Sequence, residues 1–342
     1  MNYPNLPKDC TSLLCKYLSF EIFQELKDKK TKFNFTLEKA INSGVENLDS
    51  GIGVYAGDEE SYELFSKLFD PIIEDYHGYT KEQSHKSNIS TDELNVDNPD
   101  KEGNYIISTR IRVGRNLKNF PLGTAISRES RLKVESLIVE ALASLDGELK
   151  GNYYPLLGMS EEIQKQLIED HFLFKEGDRF LESAGLNRDW SEGRGIYHNT
   201  NKTFLVWVNE EDQLRIISMQ QGGDIKEVFT RLSSAIAQLE KKLEFSSTKH
   251  LGYITSCPTN LGTAMRASVH IKVPKLSKDI SKFKAITDKH HLQIRGIHGE
   301  HSQSEGGIYD ISNRRRLGIT ELEAVEDMYH GVVALIEAER EL

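Results

Sequence analysis

Two apolar segments separated by a short polar turn constrain the fold more than any other feature of the chain. The stretch KTFLVWVNEEDQLRIISM, residues 202–219, contains two β-branched or aromatic runs on either side of Asn209–Asp212. So short a connection joins strands in antiparallel order, because parallel strands need a crossover of a dozen or more residues. We therefore predict a mainly antiparallel sheet rather than a doubly wound parallel one.

Further segments bounded by turn residues predict the rest of this sheet and the helices beside it. Strands are predicted in NYIISTRIRV, HLGYIT, MRASVHIKV and LQIRGI, in addition to the two strands above. Apolar residues recur at helical spacing at about 128–145, 160–171, 224–243, 277–290 and 320–340.

The beginning of the chain has helical spacing instead. TSLLCKYLSFEIFQELKDKK and DEESYELFSKLFDPIIEDYHGY predict helices, with Thr11 as a cap of the first, and the glycine-rich SGVENLDSGIGVYAG lies between them. Residues 80–104 are polar and predict a linker. The fold class is thus predicted to be α+β, with a small all-α N-terminal domain (1–79), a linker (80–104) and a larger domain (105–342) whose antiparallel sheet is flanked by helices.

The composition narrows the classes of partner. The 342 residues carry a formal net charge of −10, which disfavours a general nucleic-acid binder. No apolar run approaches the roughly 18 residues of a membrane span, and no targeting pattern is visible at the N-terminus. Cys10, Cys15 and Cys257 are an odd number of cysteines in a long chain, which argues against a disulfide framework and for a reducing compartment. We expect a cytoplasmic protein without nucleic-acid or membrane partners.

Alternation along the strands gathers basic side chains on one face of the predicted sheet. The members of this face are Ser108, Arg110 and Arg112 in one strand and Arg266, Ser268, His270 and Lys272 in another. The opposite face would hold Ile107, Thr109, Ile111 and Val113, with Ala267, Val269, Ile271 and Val273. Arg215 and Arg295 have similar places in two further strands. One guanidinium group can bind two phosphate oxygens at once, and it stays charged, so we predict a polyphosphate site on this face. An ordinary solvated face is the alternative.

Two common phosphate-binding motifs do not account for such a site. The sequence contains no Gly-x-x-x-x-Gly-Lys-Ser/Thr segment, which excludes a P-loop. The segment GIGVYA matches Gly-x-Gly-x-x-Ala, but it follows helical and loop residues rather than a strand, which disfavours a dinucleotide site. Gly51 and Gly53 are instead predicted to open the backbone to a small ligand.

Acidic residues and one thiol are candidates for chemistry. Glu210, Glu211 and Asp212 occupy the turn, which could also be an ordinary solvated turn. Glu300 lies in the glycine-rich RGIHGEHSQSEGG, which is either a loop that closes on a ligand or a plain surface loop. HGEH lacks the spacing of a zinc site, so Mg²⁺ carried on phosphates is expected instead. Cys257 is either a small buried side chain or a thiolate of lowered pKa suited to a cationic substrate.

Motifs along the chain resemble the phosphagen (ATP:guanidino) kinases. The similar segments are CPTNLGT, GVENLDSGIGVYAGD, LFDPIIEDYHG, STRIRVGR, GNYYPLLGMS, DHFLFKEGDRFL, GRGIYHN, FLVWVNEEDQLRIISMQQGGD, RASVHIKVPKL and GEHSQSEGGIYDISNRRRLG, in family order from about residue 10 to 340. The resemblance implies a helical N-terminal domain, an antiparallel catalytic domain, and reversible transfer of the γ-phosphoryl group of MgATP to a guanidino nitrogen. It is greatest to the arginine kinases, which implies L-arginine as substrate, a monomer or homodimer, and energy buffering.

The resemblance also implies roles for individual residues. Glu211, Glu300 and Cys257 would align the guanidinium, and the amino-acid end of the substrate would lie on Ser50, Gly51, Ile52, Gly53, Val54 and Tyr55. The nucleotide would lie on Ser108, Thr109, Arg110, Ile111, Arg112, His171, Arg215, Arg266, Ala267, Ser268, Val269, His270, Arg295, Gly296, Ile297, His298, Gly299 and Glu300.

The sequence is compatible with more than one guanidino substrate. Creatine kinases carry valine at the position of Glu300, which disfavours creatine. Some taurocyamine kinases keep the glutamates at the positions of Glu211 and Glu300, so the short loop DSGIGVY is the feature that favours arginine over taurocyamine. His298 stands where many arginine kinases have arginine, which we interpret as tuning. A non-catalytic nucleotide-binding relative is the remote alternative.

Overall fold

One large β-sheet forms the centre of the larger domain. The computed structural model describes residues 2–296 and 306–342. In chain order the strands are β1 Ile106–Arg115, β2 Gly151–Pro155, β3 Gly195–Asn199, β4 Phe204–Val208, β5 Leu214–Gln221, β6 Ser247–Thr248, β7 Gly252–Tyr253, β8 Met265–Lys272, β9 Leu292–Arg295 and β10 Ile308–Asn313. Over the described ranges the sheet has eight strands in the order β2-β3-β4-β5-β1-β8-β10-β9. Every neighbouring pair is antiparallel, which confirms the predicted sheet.

Helices precede the sheet and cover it. They are α1 Leu13–Tyr17, α2 Phe20–Leu26, α3 Leu37–Glu46, α4 Glu59–Leu64, α5 Ser66–His77, α6 Arg128–Leu142, α7 Glu161–Glu169, α8 Arg179–Ser183, α9 Ile225–Leu239, α10 Ile280–Lys289 and α11 Glu321–Glu341. The predicted α+β class is confirmed. The predictions missed α3, α8, β2, β3, β6 and β10, which are short or rich in glycine and polar residues. The cap of α1 is also corrected, because the Ser12 hydroxyl, not that of Thr11, accepts a hydrogen bond from the Cys15 N–H at 3.2 Å.

The apolar face of the sheet forms the main core. Ile111, Val113, Ala267 and Val269 are at most 1% exposed, and α9 and α11 pack against the central strands. Full burial of a valine or isoleucine side chain stabilises a fold by about 1.5–3 kcal/mol. This packing holds the opposite, polar face of β1 and β8 in a fixed position.

One residue lies on the other face from the one predicted. β1 pairs with β8 through Ile106–Ile271 and then Ser108–His270, so Ile107 is the extra residue of a β-bulge. Ile106 is therefore buried and Ile107 is 40% exposed. Period-two alternation could not predict this, because a bulge shifts the alternation by one residue.

A second core joins the N-terminal helices to the larger domain. Leu14, Phe35 and Phe69 from the helices share it with Ile254 and Leu261 from the segment between β7 and β8. The N-terminal helices thereby cover the segment that contains the free thiol.

The segment between α5 and β1 contains no helix or strand, but it is anchored to its neighbours. Leu94 is fully buried, and Asp100 Oδ2 accepts hydrogen bonds from the N–H groups of Tyr105 and Ile106 at 2.7 and 2.6 Å. We keep the domain limits 1–79, 80–104 and 105–342 as a proposal.

Two of the three cysteines are paired, contrary to the expectation from their odd number. Cys10 and Cys15 form a disulfide. The expectation failed because an odd total does not exclude a local pair: the turn capped by Ser12 brings Cys15 back to within 6.1 Å of Cys10, measured between Cα atoms. Within the described part of the chain, no helix is both long and apolar enough to cross a membrane.

The bulge assignment predicts unequal effects for two isoleucines of the same strand. Ile111→Ala should lower the free energy of unfolding by about 2–5 kcal/mol, because it leaves a cavity in the core. Ile107→Ala should lower it by less than about 0.5 kcal/mol, because its side chain is exposed. Urea denaturation followed by circular dichroism measures both; equal losses would contradict the assigned bulge.

Candidate active site

A cleft of about 690 Å³ opens on the polar face of the sheet. Of the residues predicted to bind a nucleotide, eight line its walls: Ser108, Arg110, His171, Arg266, Ser268, His270, Arg295 and Gly296. Trp207 also lines it, and its indole N–H donates to the Phe172 carbonyl at 2.8 Å. The indole thereby ties the sheet to the segment that carries His171. The structure thus brings together residues from five separate parts of the sequence.

Positive charges face one another across the central strands. Arg112 of β1 pairs in register with Arg266 of β8, and like charges directly opposite each other destabilise a sheet. Burial, with the charges of Arg266 and Arg215, lowers the pKa of Arg110 to about 10. Burial likewise sets the pKa of Arg112 well below its usual range, and the neighbouring guanidinium of Arg215 adds to the effect. Such a surface favours an anion, because an anion relieves both the repulsion and the lost hydration.

Asp310 of β10, which the sequence predictions missed, partly balances this charge. Its Oδ1 accepts from Arg266 Nη2 at 2.6 Å, and its Oδ2 lies 3.4 Å from His270 Nε2. Burial acts to raise the pKa of Asp310, but the hydrogen bond from His270 and the charge of Arg266 hold it below its usual range. The alternation in IYDISN, had it been interpreted as a strand, would have indicated this residue.

Arg316, a basic residue, is the second site residue that the predictions missed. It follows β10 and lines a small cavity together with Arg112, Arg215 and Arg266. Its Nη1 donates to the Asn260 side-chain oxygen, and burial lowers its pKa to about 10. The segment NRRRLG does not indicate which of its three arginines faces inward, because no strand alternation extends there.

Some predicted nucleotide-site residues point the other way. Thr109, Ile111, Ala267 and Val269 have buried side chains on the core side of the sheet, and the Thr109 hydroxyl donates to the Gly222 carbonyl at 2.8 Å. Any contact of these residues with a nucleotide would have to come from their backbone groups.

The turn between β4 and β5 brings carboxylates to the edge of the arginine cluster. Glu210 Oε2 lies 3.5 Å from Arg215 Nε, and Glu211 Oε2 lies 3.4 Å from Arg215 Nη2. The other Glu211 oxygen accepts from Asn260 Nδ2 at 3.3 Å. Burial raises the pKa of Glu211 to about 7, although the charge of Arg215 opposes this shift. Glu211 is therefore oriented from both sides and titrates near neutral pH.

Hydrogen bonds to Asp212 connect this turn to the segment that contains Cys257. Its Oδ1 accepts from Asn116 Nδ2 at 2.8 Å and from the Ser256 N–H at 2.9 Å. The Ser256 hydroxyl in turn donates to the Glu211 carbonyl at 3.2 Å. Glu211 and Cys257, which are far apart in sequence, therefore belong to one hydrogen-bonded unit.

The Cys257 thiol is buried beside this unit. Burial raises its pKa to about 12 and the nearby Glu211 carboxylate adds to the shift, whereas the Thr259 hydroxyl, 3.1 Å from Sγ, opposes it. Of the two alternatives for Cys257, the structure agrees with the small buried side chain and not with a lowered pKa, because desolvation and a negative neighbour dominate.

The glycine-rich loop meets the thiol segment from the N-terminal side. The Ala56 N–H donates to the Ser256 carbonyl at 2.8 Å, and the Gly53 N–H donates to the Ser50 hydroxyl at 3.0 Å. Gly53 has a φ of +76°, and a Cβ there would lie 2.8 Å from the Leu14 Cβ, so this position needs glycine. Gly51 is exposed, and a Cβ at its position would meet no other atom within 4 Å. The loop thus has a packed side and an open side.

The base of this loop is also held by the larger domain. Arg179 of α8 pairs with Asp49, directly before Ser50, and donates to Asn47 Oδ1 at 3.1 Å. The predicted residues Ile297, His298, Gly299 and Glu300 lie outside the described residues.

In residues 2–296 and 306–342, no group of three or more His, Cys, Asp or Glu side chains is arranged to hold a metal ion.

A second cavity, of about 680 Å³, lies between the N-terminal helices and the β6–β7 region and is lined by Tyr62, Phe120 and Ile254. We assign the anion site to the cleft on the sheet by the charge of its lining rather than by its volume.

Removal of a cleft arginine should weaken nucleotide binding selectively. Arg110→Ala should raise the Kd for ADP about 10- to 100-fold, the size expected for a lost hydrogen bond to a charged group. Arg314→Ala is the matched control, because Arg314 is exposed and pairs with Asp288 at 2.7 Å. Isothermal titration calorimetry gives both constants; an unchanged Kd in Arg110→Ala would contradict the assignment of the cleft.

Known proteins share this arrangement over nearly the whole chain. An arginine kinase (Lit v 2) of Penaeus vannamei is 56% identical over 335 residues, which cover 98% of this chain and 94% of that protein. An arginine kinase of Artemia franciscana is 54% identical over 97% of this chain and 94% of that protein. An arginine kinase of Anthopleura japonica is 57% identical over 96% of this chain, but the match spans 47% of that longer protein.

Solved structures agree with the sequence relatives. The duplicated taurocyamine kinase from Schistosoma mansoni with bound transition state analog components matches with a TM-score of 0.92 and 44% identity. The match covers 98% of this chain, which spans about half (47%) of that duplicated chain. A lombricine kinase structure matches with a TM-score of 0.92 and 40% identity over 99% of this chain and 94% of that one.

Family comparison agrees with both. Residues 8–74 match the N-terminal domain and residues 133–342 match the C-terminal catalytic domain of the ATP:guanido phosphotransferases. The resemblance found in the sequence motifs is thereby confirmed: this chain belongs to the ATP:guanido phosphotransferase family.

Proposed function

We propose that the chain catalyses reversible transfer of the γ-phosphoryl group of ATP to the guanidino group of L-arginine, giving phosphoarginine and ADP. One observation carries the proposal: Arg215 contacts both Glu210 and Glu211 and also lines the small cavity that it shares with Arg266, which in turn lines the cleft. A site for a phosphate anion and a site for a guanidinium cation therefore share a wall. The similar arginine kinases support arginine as the substrate. The proposal places the reaction, and with it energy buffering, in the cytoplasm.

Glu211 is the group that we propose to align and deprotonate the guanidinium. A guanidinium nitrogen is a poor nucleophile because its pKa lies above about 12. Glu211 can accept a directional hydrogen bond from it, and a carboxyl group with a pKa of about 7 can receive the proton as the nitrogen attacks. The Cys257 sulfur borders the same space, and a bound cation beside it would counteract the raised pKa of the thiol.

The arginine face is proposed to stabilise the charge that develops on the phosphoryl group. During transfer the bond from the γ-phosphorus to the bridging oxygen of ADP breaks and the bond to the guanidino nitrogen forms. Charge spreads over the γ-oxygens, and donors that are already in position lower the barrier without reorganising. Arg110 and Arg112 lie in β1, which is paired with a strand on each side, and Arg266 lies in β8 in register with Arg112. These three arginines therefore meet this requirement.

Mg²⁺ is proposed to enter with the nucleotide. The fit rests on Glu210, which lines the cleft and whose buried Oε2 is paired with Arg215 Nε at 3.5 Å but makes no hydrogen bond within the described residues. Mg²⁺ keeps several water ligands and needs few protein groups, so one carboxylate at the phosphate end suits it. When bound, the ion would neutralise part of the charge on the phosphate oxygens.

Other guanidino substrates are the alternative within the same chemistry. The solved relatives include a taurocyamine kinase and a lombricine kinase, and all guanidines would present the same planar group to Glu211. The open side of residues 50–55 therefore decides among them, since it would face the other end of the substrate.

A substrate panel tests the proposal. ADP formation from MgATP should be confined to L-arginine among L-arginine, D-arginine, taurocyamine, lombricine, glycocyamine and creatine. Glu211→Gln should lower kcat at least about 100-fold, because the proton acceptor is lost. Glu337→Gln, on the exposed side of α11, should keep full activity. Strong turnover of taurocyamine would overturn the substrate but not the mechanism, and no turnover of any guanidine would indicate a non-catalytic relative.

The pH dependence of the reaction should follow the ionisation of the Glu211 carboxyl group. The base must be deprotonated, so kcat/KM for phosphoarginine formation should be low at acidic pH, rise through about pH 7 and level off above it. Glu337→Gln should keep this inflection. If Glu211→Gln keeps it with its residual activity, another group is the base.

A further inference from the structure

The disulfide between Cys10 and Cys15 lies directly beside the loop proposed to hold the amino-acid end of the substrate. The Cys10 Sγ is 3.6 Å from the carbonyl oxygen of Leu48, two residues before Ser50. Cys15 belongs to the five-residue helix α1. The bridge therefore ties the first turn of α1 to the segment that precedes it.

That first turn supports the loop through its backbone. The N–H groups of Leu13 and Leu14 donate to the carbonyls of Gly51 and Ile52, each at 3.0 Å. The Leu14 side chain fills the space that the missing side chain of Gly53 leaves open. The conformation of residues 51–53 thus depends on where the start of α1 lies.

The far end of α1 is anchored independently. Lys16 and Tyr17 both donate to Asp75 of α5, at 2.5 and 2.7 Å. A helix of five residues has little stability of its own, because nucleation is costly and few hydrogen bonds follow. Loss of the bridge would therefore loosen the first turn while its last residues stay attached.

We propose that Cys10 and Cys15 are a thiol–disulfide exchange site whose oxidised form fixes the substrate loop and whose reduced form lowers the affinity for the guanidino substrate. The proposal rests on the function proposed above. The reductant is a dithiol: one thiolate attacks a sulfur of the bridge, the other sulfur leaves as thiolate, and the second thiol resolves the mixed disulfide. The protein gains two electrons and two protons, and the reagent becomes a cyclic disulfide.

The experiment compares the oxidised protein with protein reduced by dithiothreitol and then desalted under argon. Peptide mapping of a separate aliquot reports the state of Cys10, Cys15 and Cys257. Reduction should raise KM for L-arginine about three- to tenfold, the size of one weakened backbone hydrogen bond. KM for ATP and kcat should change less than about twofold, because the cleft residues lie on the sheet.

Two variants separate this effect from other effects of the reductant. Cys10→Ser with Cys15→Ser keeps Cys257 and should show the high KM with or without dithiothreitol. Leu13→Pro keeps both cysteines but removes the N–H that donates to Gly51, at the first helical position, where proline is tolerated. Its KM for arginine should be high already in the oxidised state and should rise less on reduction.

A second measurement does not depend on turnover. Hydrogen–deuterium exchange of residues 48–54 should be faster in the reduced protein, with β1 and β8 unchanged. Equal KM values and equal exchange in both states would overturn the proposal, as would thiols at both positions after incubation with glutathione disulfide. If no guanidine is turned over in either state, the proposed function fails, and the exchange of residues 48–54 still decides whether the bridge controls the loop.

Discussion

Repulsion between guanidinium groups on one face of the sheet is the constraint around which this protein is arranged. Arg112 and Arg266 are paired in register, Arg110 lies one pleat away, and burial removes much of the water that would screen them. Buried charges cost several kcal/mol each unless they are compensated. The apolar packing on the opposite face offsets that cost, and an anionic ligand recovers it. The fold thus holds the guanidinium groups in the positions that stabilise the charge of a transferred phosphoryl group.

The same constraint explains where the carboxylates lie. Asp310 reduces the net charge beside Arg266 without filling the cleft. Glu210 and Glu211 meet Arg215 at the start of β5, where the cationic face ends. A cationic substrate would be repelled inside the cleft, but it would be attracted at this border. The two reacting groups, one anionic and one cationic, can therefore approach each other from opposite sides of Arg215.

Several features of the fold and site were predictable because they depend on local patterns. The short turn between β4 and β5 required antiparallel pairing, and alternation correctly assigned the side chains of β8 to two faces. Features that depend on distant contacts were not predictable in this way. The bulge at Ile107 follows from pairing with β8, the inward position of Arg316 follows from its contact with Asn260, and the raised pKa of Cys257 follows from burial under the N-terminal helices. The roles of individual site residues remain proposals.

By itself, the amino-acid sequence determined the fold class, the cationic face and the family to which the chain belongs, because residue type, spacing and motif order carry that information without any knowledge of contacts. Only the tertiary structure decided which charges meet. Glu211, Ser256 and Ala56 come from three separate parts of the chain, and hydrogen bonds across those parts bring them together. Burial of this junction then sets the pKa values on which the proposed chemistry depends. The physical reason is that desolvation and Coulomb interactions depend on distances in space, which sequence spacing does not give.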